Sequence, residues 1–290
     1  MTVEPPLCYL NGEYMALESA RISPLDRGFL FGDAVYEVIP VYGGVPFRLD
    51  THLGRLTASL TATRIPAPLD AAGWRAVIDR LVEAEGGGDQ TVYLQVSRGA
   101  PPNRDHAFPQ EAEPTVFAMA SPLPDTSALR EHGVAVTTAD DIRWQRCDIK
   151  SVALLANVLL RQDALDRGAQ ESVLVRDDRV TEGSASNIFL VRGGVLITPE
   201  LEGGILSGVT RDLILELARA GNRPVECRRV DAEELTGADE IWLTSSTKEV
   251  IPVTRLDGRP VGGGTPGPYY RDMRAWFDEY KADYAEGRSA

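Results

Sequence analysis

Cysteine is scarce in this chain of 290 residues: Cys8, Cys147 and Cys227 are its three, far apart and without a Cys-x-x-Cys pair. That spacing excludes a disulfide framework and a cysteine-built zinc site. The three read as free thiols of a reducing compartment, so the expected location is cytoplasmic. Long apolar runs are missing as well. Nothing approaches the ~18 consecutive apolar residues of a membrane span, and residues 1–10 lack the basic start and apolar run of a signal peptide. Positive charge is in deficit, 30 Lys and Arg against 43 Asp and Glu, a net charge of −13. Such a surface repels phosphate backbones and anionic membranes at long range, so neither nucleic acid nor membrane is an expected partner. No internal repeat is present. Gly86-Gly87-Gly88 and Gly262-Gly263-Gly264 neither follow an apolar strand nor open a helix, as a phosphate-binding glycine loop must, and read as turns.

What is present is a globular composition, 43% hydrophobic, in a chain long enough for two domains at roughly 150 residues each. Tyr9 to Tyr14 around Asn11-Gly12, and Tyr42 to Phe47 around Gly43-Gly44, have the pattern of hairpins. The spacing of Trp74, Val77, Ile78, Leu81 and Val82 predicts a helix over 71–85, opened by Leu69-Asp70. Strands are expected at 91–97 and 115–120. Ser121-Pro122-Leu123-Pro124-Asp125 then breaks the pattern with two prolines, a candidate linker between a domain of residues 1–120 and one of residues 126–290. In the second, strands are expected at 133–138, 172–176, 187–191 and 240–244, with helices at 152–167, 210–220 and 269–284. The order of elements points to an α+β class.

Three stretches carry chemistry. In Arg143-Trp144-Gln145-Arg146-Cys147-Asp148-Ile149-Lys150 the lysine has apolar company in Ile149 and Val152 to Leu155. Most lysines are solvated surface charges, but one in such a setting must find a partner or give up its proton, and a neutral amine attacks carbonyls. Lys150 is therefore a candidate Schiff-base lysine. Glu182 in Thr181-Glu182-Gly183-Ser184-Ala185-Ser186-Asn187 reads either as a solvated loop residue or as a carboxylate that holds a pyridine nitrogen protonated, with Gly183 allowing close approach of a flat ring and the serines supplying hydroxyls. Lysine and glutamate together suggest pyridoxal phosphate. Ser207-Gly208-Val209-Thr210 opens a helix, and its amides suit a phosphate as well as they suit an ordinary cap. Thr244-Ser245-Ser246-Thr247, at a strand end, can serve the same anion, and Arg55 can add a cation.

With Asp26-Arg27-Gly28-Phe29-Leu30-Phe31-Gly32-Asp33-Ala34-Val35-Tyr36-Glu37, His52-x-x-Arg55-Leu56, Cys147 to Lys150, Thr181 to Ser184, Gly208 to Arg211 and Thr244 to Ser246 in this order, the chain resembles the fold-type IV pyridoxal phosphate aminotransferases from about Tyr9 to Trp276. The resemblance implies a two-domain fold and a homodimer, with the cofactor bound between domains. It implies Lys150 as the imine lysine and Glu182 at the ring nitrogen. Ser184 joins the cofactor site, Leu206 packs on the ring, and Arg55, Val209, Thr210 and Ser246 hold the phosphate.

Within that family the loop after the strand at 91–97 is similar to the D-amino acid aminotransferase pattern, in which an Arg-x-His pair and a tyrosine trap the substrate carboxylate. Arg104, His106 and Tyr36 match those positions. In an unknown fold such a loop reads as a solvated surface segment. It is one residue longer here than the pattern, and Ala185 stands where the pattern has serine. The resemblance implies ping-pong transamination between D-amino acids, with D-alanine and D-glutamate as expected substrates, and 2-oxo acids. The alternatives are a branched-chain L-aminotransferase, then an R-selective amine transaminase, and outside catalysis a binding or scaffold protein on the same fold.

Overall fold

The computed structural model describes residues 6–202 and 204–288; residues 1–5, to which the reading of a leaderless N-terminus partly applies, lie outside that set. The chain forms two compact units. One extends to Pro124 and takes in Ile149–Leu154; the other comprises Asp125–Asp148 and continues from Leu155. Among the described residues no helix is long and apolar enough to cross a membrane.

The first unit holds β1 (Leu7–Leu10), β2 (Glu13–Ala16), α1 (Arg27–Phe31), β3 (Ala34–Tyr42), β4 (Val45–Pro46), α2 (Leu49–Thr63), α3 (Ala71–Ala84), β5 (Gln90–Ser97) and β6 (Thr115–Pro122). Both hairpins form as the sequence predicts. Asn11 and Gly12 turn with φ of 49° and 97°, the left-handed pair that a two-residue hairpin connection requires. The strands make an antiparallel sheet in the order β2-β1-β6-β5-β3-β4. Period-two alternation turns Val35, Ile39 and Val41 toward the core, where they meet Leu53, Leu56 and Leu60 of α2 and Trp74, Ile78 and Leu81 of α3. Asp70 caps α3, its carboxylate accepting from Gly73 N at 2.8 Å. Each fully buried large apolar side chain contributes roughly 1.5–3 kcal/mol, and that stripe fixes α3 to the sheet.

The second unit holds α4 (Ser127–His132), β7 (Val134–Asp140), α5 (Leu155–Asp166), β8 (Glu171–Arg176), β9 (Arg179–Gly183), β10 (Asn187–Arg192), β11 (Val195–Pro199), α6 (Val209–Ala220), β12 (Val225–Arg228), β13 (Glu240–Ser245), β14 (Glu249–Leu256), β15 (Arg259–Pro260) and α7 (Pro268–Ala285). Its mixed sheet runs β12-β11-β10-β13-β14-β7-β8-β9, with β15 on β14. The core includes Val136, Val173, Ile188, Leu190, Ile241, Leu243 and Ile251. The class is α+β in two units.

Several features differ from the sequence expectations. The helix expected from Val152 starts at Leu155. Tyr36 N donates to Lys150 O and Val152 N to Ala34 O, each at 3.0 Å, so Lys150 to Val152 run extended beside β3, and bonds made to a strand are not available to a helix. For the same reason Lys150 belongs with the first unit, whereas the expected division placed it in residues 126–290. The prolines of the expected linker also differ in role: Pro122 still pairs with Gln90 at the end of β6.

Candidate active site

In the first unit, Lys150 is fixed through its neighbours. Ile149 is part of the core, and Lys150 N donates to Ser59 Oγ at 3.3 Å. Its Nζ stands 4.2 Å from the centre of the Tyr36 ring, a cation–π seat, and among the described residues no carboxylate pairs with it. Tyr36 lies one step out of phase with Val35 and Glu37 and so projects from the opposite face of β3. Its ring is 5.8 Å from that of Tyr93, which is 6.4 Å from Phe117, an aromatic row across three strands. Burial pushes the Tyr93 hydroxyl up to about 12, and it donates to Gln95 Oε1 at 2.6 Å.

Glu37 stands on the helix side of β3, fully buried. Arg55 gives Nε to Oε1 at 2.7 Å and Nη2 to Oε2 at 2.8 Å, and His52 Nδ1 is 2.9 Å from Oε2. Burial alone would raise this carboxyl, but the Arg55 charge and these hydrogen bonds hold it at about 2. Burial pushes His52 below its ordinary range against the pull of Glu37. Arg55, expected at a phosphate, is thus anchored by two of its nitrogens.

Arg104 and His106 come together on Phe31. The His106 ring centroid is 5.1 Å from that ring and the Arg104 guanidinium carbon 4.7 Å from its centre. Both residues are exposed, and among the described residues neither makes a hydrogen bond or ring contact with Tyr36.

In the second unit Glu182 is a strand residue of β9, 5% exposed, not a solvated loop residue. Its partner is Arg143, which sequence reasoning did not single out: Nη1 donates to Glu182 Oε1 at 2.6 Å. The same guanidinium gives Nε and Nη2 to Asp141 at 2.8 and 2.9 Å. Glu182 Oε2 accepts weakly from Asn187 Nδ2 at 3.2 Å and Leu206 N at 3.3 Å. Burial dominates, pushing Glu182 up to about 7 against the attraction of Arg143. Asp141 moves the other way: despite burial it is held low by Arg143, with Thr181 and Arg176 assisting. The signal for Arg143 was present in Asp141-Ile142-Arg143, a spacing that lets a guanidinium fork close on the carboxylate two residues before it.

Glu171, fully buried, shapes the neighbouring turn. Its Oε1 accepts from Ala185 N at 2.8 Å and Ser186 Oγ at 2.6 Å, and its Oε2 accepts from Lys248 Nζ at 3.0 Å. One carboxylate therefore ties the Ser184 turn to the turn that carries Ser246.

At the start of α6, Gly208 offers no side-chain cap, and the first amide to bond back is Asp212 N, to Gly208 O at 2.9 Å. The amides of Val209, Thr210 and Arg211 have no acceptor within the helix, a geometry that suits an anion. Gly208 is required there, because a Cβ would lie 1.9 Å from Asn187 Oδ1. Asn187 pairs across the sheet with Thr244, and the hydroxyls of Thr244 and Ser184 are buried without a hydrogen-bond partner. Leaving a buried hydroxyl unsatisfied costs roughly 1–3 kcal/mol, so both are donors that await an acceptor. Ser246 is half-buried in the turn after β13. These amides suit a phosphate, the two hydroxyls offer further donors to the same ligand, and Glu182 suits a protonated ring nitrogen, so the residues present fit pyridoxal phosphate.

The comparisons supply the class that such a site serves: the chain belongs to the amino-transferase class IV family, whose model matches residues 34–256. It is similar to the D-alanine aminotransferase of Bacillus licheniformis, 39% identical over 264 residues that cover 91% of this chain and 93% of the relative. It is similar also to the D-alanine aminotransferase of Staphylococcus aureus (strain COL), 36% identical over 273 residues covering 94% and 96%. Among solved structures, the branched-chain aminotransferase from the thermophilic archaeon Thermoproteus uzoniensis with norvaline matches with a TM-score of 0.86 at 25% identity, covering 98% of this chain and 95% of that one. The branched-chain amino acid aminotransferase from Escherichia coli, at 22% identity and a TM-score of 0.87 over 99% and 96% of the two chains, shares the fold.

Proposed function

We propose that this protein transfers the amino group of D-amino acids to 2-oxo acids with pyridoxal phosphate as its cofactor. The observation that carries the cofactor is Glu182, a carboxylate that burial pushes up to about 7 and that Asn187 Nδ2 and Leu206 N link to the segment leading into the open start of α6; a protonated pyridine nitrogen would add positive charge beside it. When bound, the cofactor supplies an aldehyde that carries the amino group and a ring that withdraws electrons from the substrate α-carbon.

The chain's residues do the rest. Lys150 would take the α-proton on Nζ and deliver it to the cofactor carbon that bore the aldehyde, a general base and then a general acid. Glu182 would hold the ring nitrogen charged, Ser184 and Leu206 would line the ring, and Val209, Thr210, Ser246 and Arg55 would hold the phosphate. Tyr36, Arg104 and His106 bind the substrate carboxylate, with Arg104 offering a fork that matches it. Because one amine serves one face, the hand of the substrate follows from which pocket takes the carboxylate. The D-alanine aminotransferase relatives, matched over more than nine-tenths of this chain, favour D-substrates.

We infer a homodimer as well. Leu155, Val158 and Leu159 on one stripe of α5 are 73%, 59% and 55% exposed, an apolar face that a second copy would cover. Light scattering should return twice the chain mass. The three free cysteines favour a cytoplasmic location.

The test is the absorbance of the cofactor-loaded protein on adding D-alanine, L-leucine or (R)-1-phenylethylamine in parallel. Rapid loss of the bound-cofactor band with D-alanine alone is expected; a faster response to L-leucine or to the amine would move the assignment to a branched-chain or amine transaminase. A protein that takes up no cofactor would be a binding module. Lys150→Ala should lower turnover by about 10⁴-fold, the upper range for a lost acid–base group.

A further inference from the structure

Arg27 is buried, at 4% exposure, and opens α1 behind an Asp26 cap whose carboxylate accepts from Gly28 N at 2.8 Å. Its guanidinium is not spent on one carboxylate. Nε donates to Asp33 Oδ2 at 2.8 Å, while the two terminal nitrogens reach three successive carbonyls of the β5–β6 loop: Asp105 O and Ala107 O from Nη1, and His106 O from Nη2. Arg98 shares Asp33, giving Nε to the same Oδ2 at 2.7 Å and Nη2 to Oδ1 at 2.9 Å. Arg98 in turn donates to Thr63 O and Arg64 O and lies 3.7 Å from the centre of the Phe108 ring. The far end of α1 supplies Phe31, on which both Arg104 and His106 rest.

One five-residue helix therefore determines the loop twice, by its first side chain under the backbone and by its last under the side chains. We propose that Arg27 is a positioning residue for substrate specificity, fixing the 105–107 backbone so that Arg104 and His106 are already arranged to receive the substrate carboxylate. This rests on the reading of Arg104 and His106 as the carboxylate trap. An unfixed loop would have to be ordered at the moment of binding, at the expense of affinity. Lysine cannot replace Arg27, because an ammonium keeps the charge opposite Asp33 but lacks the planar fork that spans several carbonyls.

Steady-state kinetics of the holoenzyme with D-alanine and 2-oxoglutarate test this on wild type, Arg27→Lys, the double variant Arg104→Ala/His106→Ala, and the triple combination. Arg27→Lys should raise KM for D-alanine about tenfold and leave kcat within about twofold, the pattern of lost ground-state positioning. In the double-alanine background it should add nothing. Independently of turnover, amide exchange over 104–108 should be faster in Arg27→Lys. An unchanged KM, or an effect undiminished in the double-alanine background, overturns the positioning role while the trap reading stands. A double-alanine variant with unchanged KM overturns the trap itself, and the proposal with it. Should Arg27→Lys not fold, Phe31→Leu removes the ring that the Arg27, Arg104 and His106 side chains all face and so loosens the same arrangement from its other end; it should raise KM in the same way, and an unchanged KM there overturns the proposal.

Discussion

Glu37 and Glu182 are both buried, and each meets one arginine, yet Glu37 is held at about 2 and Glu182 is pushed up to about 7. The difference lies in how the arginine is shared. Arg55 turns two nitrogens onto the two oxygens of Glu37, and His52 adds a third contact. Arg143 turns its bidentate side to Asp141 and gives Glu182 a single hydrogen bond, while the Asp141 charge opposes ionisation of Glu182. A satisfied buried carboxylate is a structural part; one left short of positive charge is available to a cationic ligand. Proteins keep such a group at the expense of stability where function needs it.

The largest expected effect is on catalysis. Glu182→Gln keeps an acceptor for Arg143 and removes the charge opposite the cofactor ring, so kcat should fall about 10²–10³-fold; Glu37→Gln should leave the kcat of folded protein within about tenfold. Equal losses in steady-state assays would erase the distinction. Next is stability. Glu37→Gln withdraws a charge from Arg55 and should cost about 3 kcal/mol in denaturant melts. Its effect should shrink in acid, because a carboxyl lowered on folding contributes above its unfolded value of 4.5 and loses that contribution as pH falls toward about 2. The smallest effect is on titration. Asp141→Asn removes the competitor for Arg143 and should move the Glu182 midpoint down by about one unit, read from the pH dependence of apo-protein stability; an upward move would show that Asp141 does not weaken the Arg143–Glu182 pair.

Much of this was legible in the sequence where local physics decides. Asn11-Gly12 could only be a tight turn, and the stripe of α3 follows from its spacing. Lys150, Glu182 and the α6 start were picked out as residues, but their surroundings were not, because those come from distant parts of the chain. Nothing near Glu182 announces Arg143, 39 positions away, and nothing near Asp105 announces Arg27, 78 positions away. The start of α5 was missed because β3, far upstream, captures the backbone of Lys150 to Val152. β9 was missed because Thr181-Glu182-Gly183 has turn composition, and only pairing with β8 makes it a strand.

The most direct measurement is the thermal stability of wild-type and Glu182→Gln protein from pH 4.5 to 9, with and without pyridoxal phosphate. A carboxyl raised on folding from 4.5 to about 7 leaves stability whole below 4.5 and withdraws about 3 kcal/mol as pH rises through 7, at roughly 1.4 kcal/mol per unit. Without cofactor the glutamine variant should therefore melt roughly 5 °C higher at pH 8, with the gap closing by pH 5, and saturating cofactor should reverse the order. A variant that melts lower at pH 8 without cofactor would mean that Arg143 satisfies Glu182 after all, and would contradict the account.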